Sequence, residues 1–337
     1  MKTKGIVFTA PGKAEFCERD YALPQAGEVL VILEVSSISS GTERANVAGE
    51  AAVSVLSNGP ALFPRISGYS SAGVVEAVGE GVKTVAVGDR VALSWSSHTK
   101  RLCLPEENVH KITDPSMNPS EAALLHIATF PMAAVRKCRL EIGESAIVMG
   151  LGILGLMAVQ LLRAAGAVPV IAVDPVAARR EQALRTGADY ALDPYAPDFT
   201  ETVRALTGGV NVAIEVTGVG KALDQVLDVM APLGRVALLG CTRHSDFTID
   251  YYRKVHGPGI SLIGAHTNAR PKKESSAALW TTHDDVVALM KLSTAGRISL
   301  ASLVEDVRLP EEAEEVYTRL INEKEFPVTQ FDWRNVE

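Results

Sequence analysis

Three closely spaced glycines provide the clearest chemical signal in the sequence. Gly150, Gly152 and Gly155 lie in the segment MGLGILG and have G-x-G-x-x-G spacing. Such glycines allow a tight turn, a close approach of the backbone to a pyrophosphate, and close packing of a helix on a strand. The apolar run AIV precedes them, and a helix-like run begins at Ile153 and Leu154. Because the N-terminus of a helix presents unpaired N–H groups, we predict a dinucleotide phosphate site formed by these five residues.

An acidic residue follows at the position where such a site needs one. The next strand-like run, VPVIAVD, ends at Asp174, 19 residues beyond Gly155. A carboxylate there accepts hydrogen bonds from the hydroxyls of an adenine ribose and repels a 2′-phosphate, so we predict NAD in preference to NADP. Arg179, a further cofactor-binding candidate, and Arg180 follow closely and favour the opposite preference. The alternative interpretation is a tightly packed helix start that binds no ligand.

Three later turns extend the predicted cofactor site. Thr217 in VTGVG, Gly240 and Cys241 in LLGCT, and Ala265 in LIGAH each follow a strand-like run. In an open parallel sheet, ligands bind beyond the carboxyl ends of the strands, so we expect these residues to line the cofactor cleft. The alternative is that their glycines only form ordinary turns.

The elements that must position these residues alternate between strand and helix. From SAIVMG to GISLIGA, short apolar runs alternate with helix-like segments such as ILGLMAVQLLRAAG. This pattern predicts an α/β fold, a Rossmann doubly wound parallel sheet with helices on both faces. A further helix is predicted just before it, over SEAALLHIATFPMAAVRK, with Ser120 as its cap.

The two ends of the chain have a different pattern. Residues 1 to about 118 contain short strand-like runs and turns, for example GEVLVILEVSSIS and AGVVEAVG, which are typical of a mostly β domain. Beyond Ala269, the helix-like segments THDDVVALMKLSTAG and PEEAEEVYTRLINE precede a strand-like tail, FPVTQFDW. We expect this last segment to return to the first domain.

Composition and charge argue against several classes of function. The chain has 337 residues, of which 47% are hydrophobic and 22% are charged, as in a globular protein of about two domains. A net charge of −7 without a basic stripe argues against a nucleic-acid partner, and no segment resembles a membrane span. The N-terminus lacks the apolar core of a signal peptide, which predicts a cytoplasmic protein. Four widely separated cysteines predict reduced thiols: Cys17, Cys103, Cys138 and Cys241.

The whole chain resembles the medium-chain dehydrogenase/reductase superfamily, which includes the zinc-type alcohol dehydrogenases. The resemblance is carried by SSISSGTER, GYSSAGVVEAVGEGVKTVAVGDRV, the glycine motif and EVTGVGKALDQVLDVMAPLGRVALLG. Within the superfamily, the sequence is most similar to polyol dehydrogenases and bacteriochlorophyllide dehydrogenase. The resemblance implies a GroES-like β domain over residues 1–126 and 269–337, a Rossmann domain over residues 127–268, and a substrate cleft where they meet. It also implies a homodimer or homotetramer, in which ISLIGA is the kind of edge strand that pairs.

The same resemblance indicates that the usual zinc ligands are replaced. Zinc members have a cysteine, a histidine–glutamate pair and, in polyol-type enzymes, a further glutamate. At the corresponding positions this sequence has Ser40, Tyr69, Ser70 and His126. A catalytic zinc normally needs three protein ligands, and only His126 is a good one. The cysteine-rich lobe that holds a structural zinc is missing as well, so we expect no bound zinc.

Without a metal, side chains must exchange the proton of the substrate hydroxyl. The resemblance places Ser40, Thr42, Tyr69 and His126 around the vacated metal position. His126 is the first candidate because its ordinary pKa of about 6.5 suits proton exchange near neutrality. Tyr69 is the second, as a hydrogen-bond donor to the substrate oxygen. Thr42 matches a relay hydroxyl, although Ala45 stands where the relay histidine would follow. The alternatives are a histidine satisfied in the core and a tyrosine that only fills space.

His266, in IGAH, completes the catalytic candidates. The resemblance places its turn beside the nicotinamide, and the alternative is an exposed loop histidine. The sequence thus predicts a zinc-independent NAD(H)-dependent oxidoreductase. It would interconvert a secondary alcohol and a ketone on a polar small molecule such as a sugar, a polyol or a specialised metabolite. Two alternatives stay open: a zinc-free enone or quinone reductase, and a nucleotide-binding redox sensor without catalysis.

Overall fold

The computed structural model of the protein describes residues 1–51, 61–242, 245 and 247–337. The chain forms two compact units. Unit 1 comprises Met1–Ile127, Val286–Thr294 and Leu300–Glu337, and unit 2 comprises Ala128–Asp285 and Ala295–Ser299.

The regular elements of the described residues are numbered in chain order. The strands are β1 (Lys2–Ala10), β2 (Lys13–Asp20), β3 (Glu28–Ser37), β4 (Arg65–Ile66), β5 (Ser70–Val78), β6 (Arg90–Ser94), β7 (Arg101–Pro105), β8 (Val109–Lys111), β9 (Ala146–Met149), β10 (Val170–Val173), β11 (Tyr190–Leu192), β12 (Val210–Glu215), β13 (Met230–Leu238), β14 (Ser261–Gly264), β15 (Asp306–Arg308) and β16 (Thr329–Asp332). The α-helices are α1 (Ser40–Ala48), α2 (Pro119–Ala122), α3 (Leu125–Lys137), α4 (Ile153–Ala164), α5 (Ala177–Thr186), α6 (Phe199–Thr207), α7 (Gly220–Val229), α8 (Thr282–Thr294) and α9 (Ala313–Asn322). Among the described residues, no helix is both long enough and apolar enough to cross a membrane.

Unit 2 is built on one parallel sheet of six strands. The strand order is β11–β10–β9–β12–β13–β14, and every neighbouring pair is parallel. In this doubly wound order, the winding reverses between β9 and β12. Ile147, Ile171 and Ile214 in the central strands are fully buried, as expected for a sheet that is covered on both faces. The predicted Rossmann fold is confirmed.

Unit 1 combines both ends of the chain around a second core. A seven-stranded sheet has the order β15–β16–β3–β5–β6–β8, with β7 also paired to β3, and a three-stranded sheet has the order β2–β1–β4. The C-terminal strand β16 pairs antiparallel with β3, with Phe331 opposite Ser36. Phe331 and Trp333 are fully buried in the same core as Phe8 and Tyr317. Burying one phenylalanine contributes about 1.5–3 kcal/mol, so this tail stabilises unit 1, to which it belongs. The predicted GroES-like fold is confirmed.

The second boundary between the units differs from the sequence prediction. The sequence predicts a return to the first domain at residue 269, whereas residues 269–285 lie in unit 2. The guanidinium of Arg270 donates a hydrogen bond to the Thr129 carbonyl (2.6 Å) and pairs with the buried Asp285 (3.3 Å). Arg136 also pairs with Asp285, at 2.8 Å. These long-range charged contacts hold the segment to unit 2, and no local sequence pattern reveals them.

The helix predicted from Ser120 onward is two helices with a different cap. Helix α2 ends at Ala122, and α3 begins at Leu125. Asn118 is the N-cap of α2, because its side chain accepts the Glu121 N–H at 2.8 Å. The predicted cap, Ser120, instead donates its hydroxyl hydrogen to Gln330 at 2.5 Å. The proline that follows Asn118 occupies the first helical turn, where its missing N–H costs nothing. The helix therefore begins earlier in the chain than predicted.

Candidate active site

The glycine motif forms a turn that tolerates no side chain at two of its three positions. Gly150 has a φ of +97°, and a Cβ there would lie 2.8 Å from Cγ2 of Thr217. A Cβ on Gly155 would lie 1.9 Å from the Gly150 carbonyl oxygen, so α4 packs directly on the turn. Gly152 caps α4 with no side-chain hydrogen bond and has open space around it. The first N–H groups of α4, beginning at Ile153, therefore remain available to phosphate oxygens.

Hydrogen bonds hold the Asp174 carboxylate beside the glycine turn. It follows β10, is 4% exposed, and accepts the N–H groups of Leu151 and Val176, each at 2.9 Å. Arg179 approaches the same carboxylate, with Nη1 lying 3.7 Å from Oδ2. Arg180 instead donates to the Asp174 carbonyl oxygen at 2.7 Å. The structure thus brings Arg179, and not the guanidinium of Arg180, to the predicted ribose-binding carboxylate.

The turns after β12 and β13 pack against each other through their backbones. A Cβ on Gly240 would lie 2.2 Å from the Gly218 nitrogen, so glycine is required there. Thr217 and Cys241 are exposed on these turns. The Thr242 hydroxyl donates to the Gly218 carbonyl at 2.8 Å and fastens the two turns together.

Sequence reasoning missed a buried acid at the base of this turn. Glu215 is 2% exposed and accepts the Thr217 N–H at 2.7 Å and the Gly218 N–H at 3.1 Å. The Thr217 hydroxyl donates to it as well. Burial raises the pKa of Glu215. An acidic residue directly after the apolar run VAI was the available signal.

The last predicted cofactor residues follow β14. Ala265 is 1% exposed, and its N–H donates to the Leu238 carbonyl at 3.1 Å. His266 is half-buried, and its Nδ1 accepts the Asn268 N–H at 3.2 Å. Burial, aided by the nearby charge of Lys137, lowers the pKa of His266. His266 therefore belongs to unit 2, whereas the other four catalytic candidates belong to unit 1.

Two of those four candidates meet in a cluster of aromatic rings in unit 1. His126, the second residue of α3, is 2% exposed. Its ring packs edge-to-face on the rings of Trp95 and Tyr69, with distances between ring centroids of 4.7 Å and 5.8 Å. The ring centroids of Trp95 and Tyr69 lie 6.0 Å apart. We call these three residues the ring cluster.

The backbone presents two members of the ring cluster from constrained positions. Tyr69 follows Gly68, whose φ is +89° and where a Cβ would lie 2.8 Å from the His98 ring. Trp95 directly follows β6, has a φ of +56° and is 43% exposed. A bulky residue in this left-handed region costs about 1–3 kcal/mol, and such strain concentrates at functional sites.

Serine hydroxyls connect the segments that carry the ring cluster. The Ser70 hydroxyl, next to Tyr69, donates to the Ala123 carbonyl at 2.6 Å, just ahead of the helix that carries His126. The Ser71 hydroxyl donates to the Ser96 hydroxyl at 2.7 Å, next to Trp95. Buried serines of β5 therefore tie the strand after Tyr69 to both of the other segments.

The remaining two candidates, Ser40 and Thr42, lie outside the ring cluster. Both are in the first turn of α1 and are half-buried. The side chains at the family's metal positions are therefore one imidazole and three hydroxyls, of which the Ser70 hydroxyl is already engaged. Zinc prefers thiolate, imidazole and carboxylate ligands, so this set does not fit a catalytic zinc. Within the described ranges, no three His, Cys, Asp or Glu side chains are grouped so that they could hold a metal ion.

Comparison with known proteins identifies the family. Residues 25–118 match the model of the alcohol dehydrogenase GroES-like domain, and residues 154–281 match that of the zinc-binding dehydrogenases. An L-threonine 3-dehydrogenase from Pyrococcus abyssi (strain GE5 / Orsay) is 32% identical over 335 residues, covering 90% of each chain. A D-guloside 3-dehydrogenase from Escherichia coli (strain K12) is 28% identical over 291 residues, covering 80% of this chain and 83% of the other. The chain belongs to the medium-chain dehydrogenase/reductase superfamily, whose members are NAD(P)-dependent oxidoreductases.

Solved structures share the fold of the chain. A short chain alcohol dehydrogenase from Escherichia coli CFT073, complexed with NADH, has a TM-score of 0.83 at 19% identity, over 98% of this chain and 99% of the other. A putative zinc-binding dehydrogenase from Sinorhizobium meliloti 1021, bound to NADP, has a TM-score of 0.82 at 19% identity, over the same shares. At these identities the likeness concerns the fold.

Proposed function

We propose that the protein is a zinc-independent, NAD(H)-preferring oxidoreductase that interconverts a secondary alcohol and a ketone on a polar substrate. The observation that carries this proposal is the ring cluster. A buried imidazole, His126, contacts a phenol-bearing ring, Tyr69, in the domain where zinc members hold their metal. Hydroxyl groups replace the remaining metal ligands, so proton exchange falls to side chains.

The proposed mechanism assigns one task to each side chain. When bound, the nicotinamide would supply the hydride chemistry of the reaction. In alcohol oxidation, His126 takes the hydroxyl proton as the carbonyl forms, and in ketone reduction it returns that proton. The Tyr69 hydroxyl donates a hydrogen bond to the same oxygen and stabilises the charge that develops on it. Thr42 and Ser40 would supply further hydroxyls, and His266, in unit 2, would hold the nicotinamide amide.

The environment of Asp174 supports a preference for NAD. Its carboxylate is buried beside the glycine turn, where a ribose 2′-phosphate would meet its negative charge. Arg179, at 3.7 Å, partly compensates that charge and limits the preference. Fluorescence titrations with NADH and NADPH test this assignment directly.

The names of the relatives support a polar secondary alcohol as substrate. One is a 3-dehydrogenase of L-threonine and the other of a D-guloside, and the hydroxyl at position 3 is secondary in both molecules. We infer a polar small molecule of this kind for the present chain, such as a sugar, a polyol or a specialised metabolite. A nucleic acid or a membrane is not part of this proposal, and a cytoplasmic location stays a prediction.

The deciding experiment measures metal content and turnover on the same purified sample. We expect substoichiometric zinc together with turnover of polar secondary alcohols or their ketones. Activity confined to enones and quinones would favour the reductase alternative, in which the hydride goes to carbon and no strong base is needed. Tight NADH binding without turnover on a broad panel would favour the redox sensor. Zinc near one per chain would overturn the proposed mechanism.

We further propose that the protein assembles as a homodimer or homotetramer through unit 2. Strand β14 is the last strand of the parallel sheet and pairs only with β13 among the described strands. Ser261, Leu262 and Gly264 on this strand are exposed. An open edge of this kind pairs with another strand unless it is protected, and a second copy offers the same edge.

A further inference from the structure

A fully buried carboxylate connects several segments of unit 1. Glu43, in α1, is 1% exposed, and its Oε1 accepts the Ser39 N–H at 2.9 Å. Its Oε2 accepts from the Ser67 hydroxyl (3.1 Å), His98 Nε2 (3.0 Å) and the Tyr317 hydroxyl (2.5 Å). Burial alone would raise the pKa of Glu43, but His98 foremost, together with the Tyr317 hydroxyl and the Ser39 N–H, holds that pKa below its ordinary value. The carboxylate is thus held as an anion in one position.

The tautomer of His98 agrees with this arrangement. The Trp333 indole N–H donates to the Ser36 hydroxyl oxygen at 2.8 Å, and that hydroxyl lies 2.7 Å from His98 Nδ1. An ionised carboxylate can only accept, so His98 Nε2, which faces Glu43, carries a ring hydrogen. The Ser36 oxygen has two lone pairs, so it can accept from Trp333 and still bond to Nδ1.

Glu43 fastens the segments on which the catalytic candidates lie. Its partner Ser39 precedes the first turn of α1, which carries Ser40 and Thr42. Its partner Ser67 lies two residues before Tyr69. A single carboxylate therefore fixes the start of α1 against the turn that presents the phenol.

His98 extends this connection to the third segment. It lies three residues after Trp95, and its N–H donates to the Ser67 carbonyl at 2.9 Å. Its ring fills the space that a side chain at Gly68 would need. The turn before Tyr69 is therefore held by both the backbone and the ring of His98.

Stability alone does not account for such a group. Replacing a buried ionic network by apolar residues of similar volume is often neutral or stabilising, because desolvation offsets the electrostatic gain. What the network does supply is a unique position for each donor. A displacement of about 1 Å at a reacting centre can lower the rate about 10²-fold. The network therefore affects the rate mainly by fixing the positions of these groups.

We propose that Glu43 is a positioning residue that sets the geometry of the ring cluster and of the first turn of α1. This inference rests on the proposed function, because it assigns Glu43 to the same proton-transfer site. Glu43 contacts no reacting atom in this scheme and acts through Ser67 and His98.

The test compares Glu43→Gln and the milder Ser67→Ala with Lys100→Met. Lys100 is a matched control because it is also buried in unit 1, but its ammonium bonds, among the residues that the structure describes, to the carbonyls of Leu33 and Trp333. We expect Glu43→Gln to lower kcat by about 10- to 100-fold with KM and NADH affinity near wild type, since a small displacement carries that cost. Lys100→Met should lower the melting temperature and leave kcat unchanged.

A second readout needs no substrate. The His126 ring hydrogens lie in the ring currents of Trp95 and Tyr69, and their NMR signal is assigned by its loss in His126→Ala. We expect this signal to move in Glu43→Gln and in Ser67→Ala, and to stay in place in Lys100→Met. An unmoved signal in both site variants overturns the inference, as does normal kcat in both. A wild-type protein that turns over no alcohol or ketone sinks the proposed function alone, because the NMR signal still reports on Glu43.

Discussion

His126 is the side chain on which the proposed chemistry depends most. Positioned acid–base catalysis contributes about 10²- to 10⁴-fold in rate, so His126→Ala should lower kcat by that order. NADH affinity should stay near wild type, because the predicted cofactor residues all lie in unit 2. Steady-state kinetics combined with an NADH titration measure both quantities.

His110→Ala is the matched control for that prediction. His110 is also a buried histidine of unit 1, and its Nε2 lies 2.8 Å from the Ser94 hydroxyl. It should lower stability without the loss of kcat. Equal turnover in His126→Ala and wild type would remove His126 from the mechanism.

Asp174 carries the prediction about cofactor choice. In Asp174→Asn, the negative charge that opposes a 2′-phosphate is gone, and Arg179 is released from its partner. We expect NADH to bind more weakly and NADPH more tightly, shifting the ratio of dissociation constants by about tenfold or more, since hydrogen bonds to charged groups contribute about 1.5–3 kcal/mol. Fluorescence titrations give both constants.

Arg179→Ala in the Asp174→Asn background completes this test. The double variant should lose the gained NADPH affinity, because the guanidinium that would bind the 2′-phosphate is absent. If Asp174→Asn binds NADPH no better than wild type does, the carboxylate is not the discriminating group.

At the scale of elements, an ion pair in unit 2 connects strand β13 to the segment that precedes β9. Arg235 in β13 donates to both carboxylate oxygens of Glu144, ahead of β9, at 2.8 and 2.5 Å. It also donates to the carbonyls of Cys138 and Arg139. Arg235 therefore holds β13 to the segment that enters β9. Strand β12 lies between these two strands in the sheet.

This ion pair predicts a pH dependence of stability. The hydrogen bond from Arg235 lowers the pKa of Glu144. A lowered pKa in the folded state stabilises folding above the unfolded pKa, about 4.3, and that contribution is lost as the pH falls through the folded value. Glu144→Gln should therefore lower the free energy of unfolding by about 1–3 kcal/mol at pH 7 and approach wild type at low pH.

Urea unfolding at several pH values measures this effect. Glu141→Gln is the control, because it removes the same charge from an exposed side chain three residues away. A constant difference between Glu144→Gln and wild type from pH 7 to pH 3 would contradict the prediction.

The sequence predicted elements well wherever the pattern was local. The buried parallel strands are continuous apolar runs, and the glycine motif with Asp174 lies within one strand–helix–strand unit, so both could be recognised. Residues 269–285 lie in unit 2, not in unit 1, because Arg270 bonds to the Thr129 carbonyl and Asp285 pairs with Arg136, and these partners are 141 and 149 residues apart in the sequence. Likewise, His98 and Glu43 are 55 residues apart, and Tyr317 and Glu43 are 274 apart, which no periodicity encodes.

At the scale of the whole molecule, the exposed strand β14 predicts self-association. Lysine on an edge strand prevents strand pairing between chains, so Leu262→Lys should lower the mass of the assembly, from a dimer to monomers of 35.9 kDa or from a tetramer to smaller species. Light scattering coupled to gel filtration measures the mass. Leu184→Lys places the same charge on α5, whose residue 184 is also exposed, and should leave the assembly intact. A wild-type monomer, or an unchanged mass for Leu262→Lys, would refute pairing through this edge.

The return of the C-terminal tail into unit 1 sets an order for biosynthesis. All residues of unit 2 precede residue 300, whereas the core of unit 1 needs Phe331 and Trp333 from the end of the chain. During vectorial synthesis on the ribosome, all residues of unit 2 are therefore available for folding before those of unit 1 are. The N-terminal strands must wait, with their apolar faces uncovered, until β16 has left the ribosome.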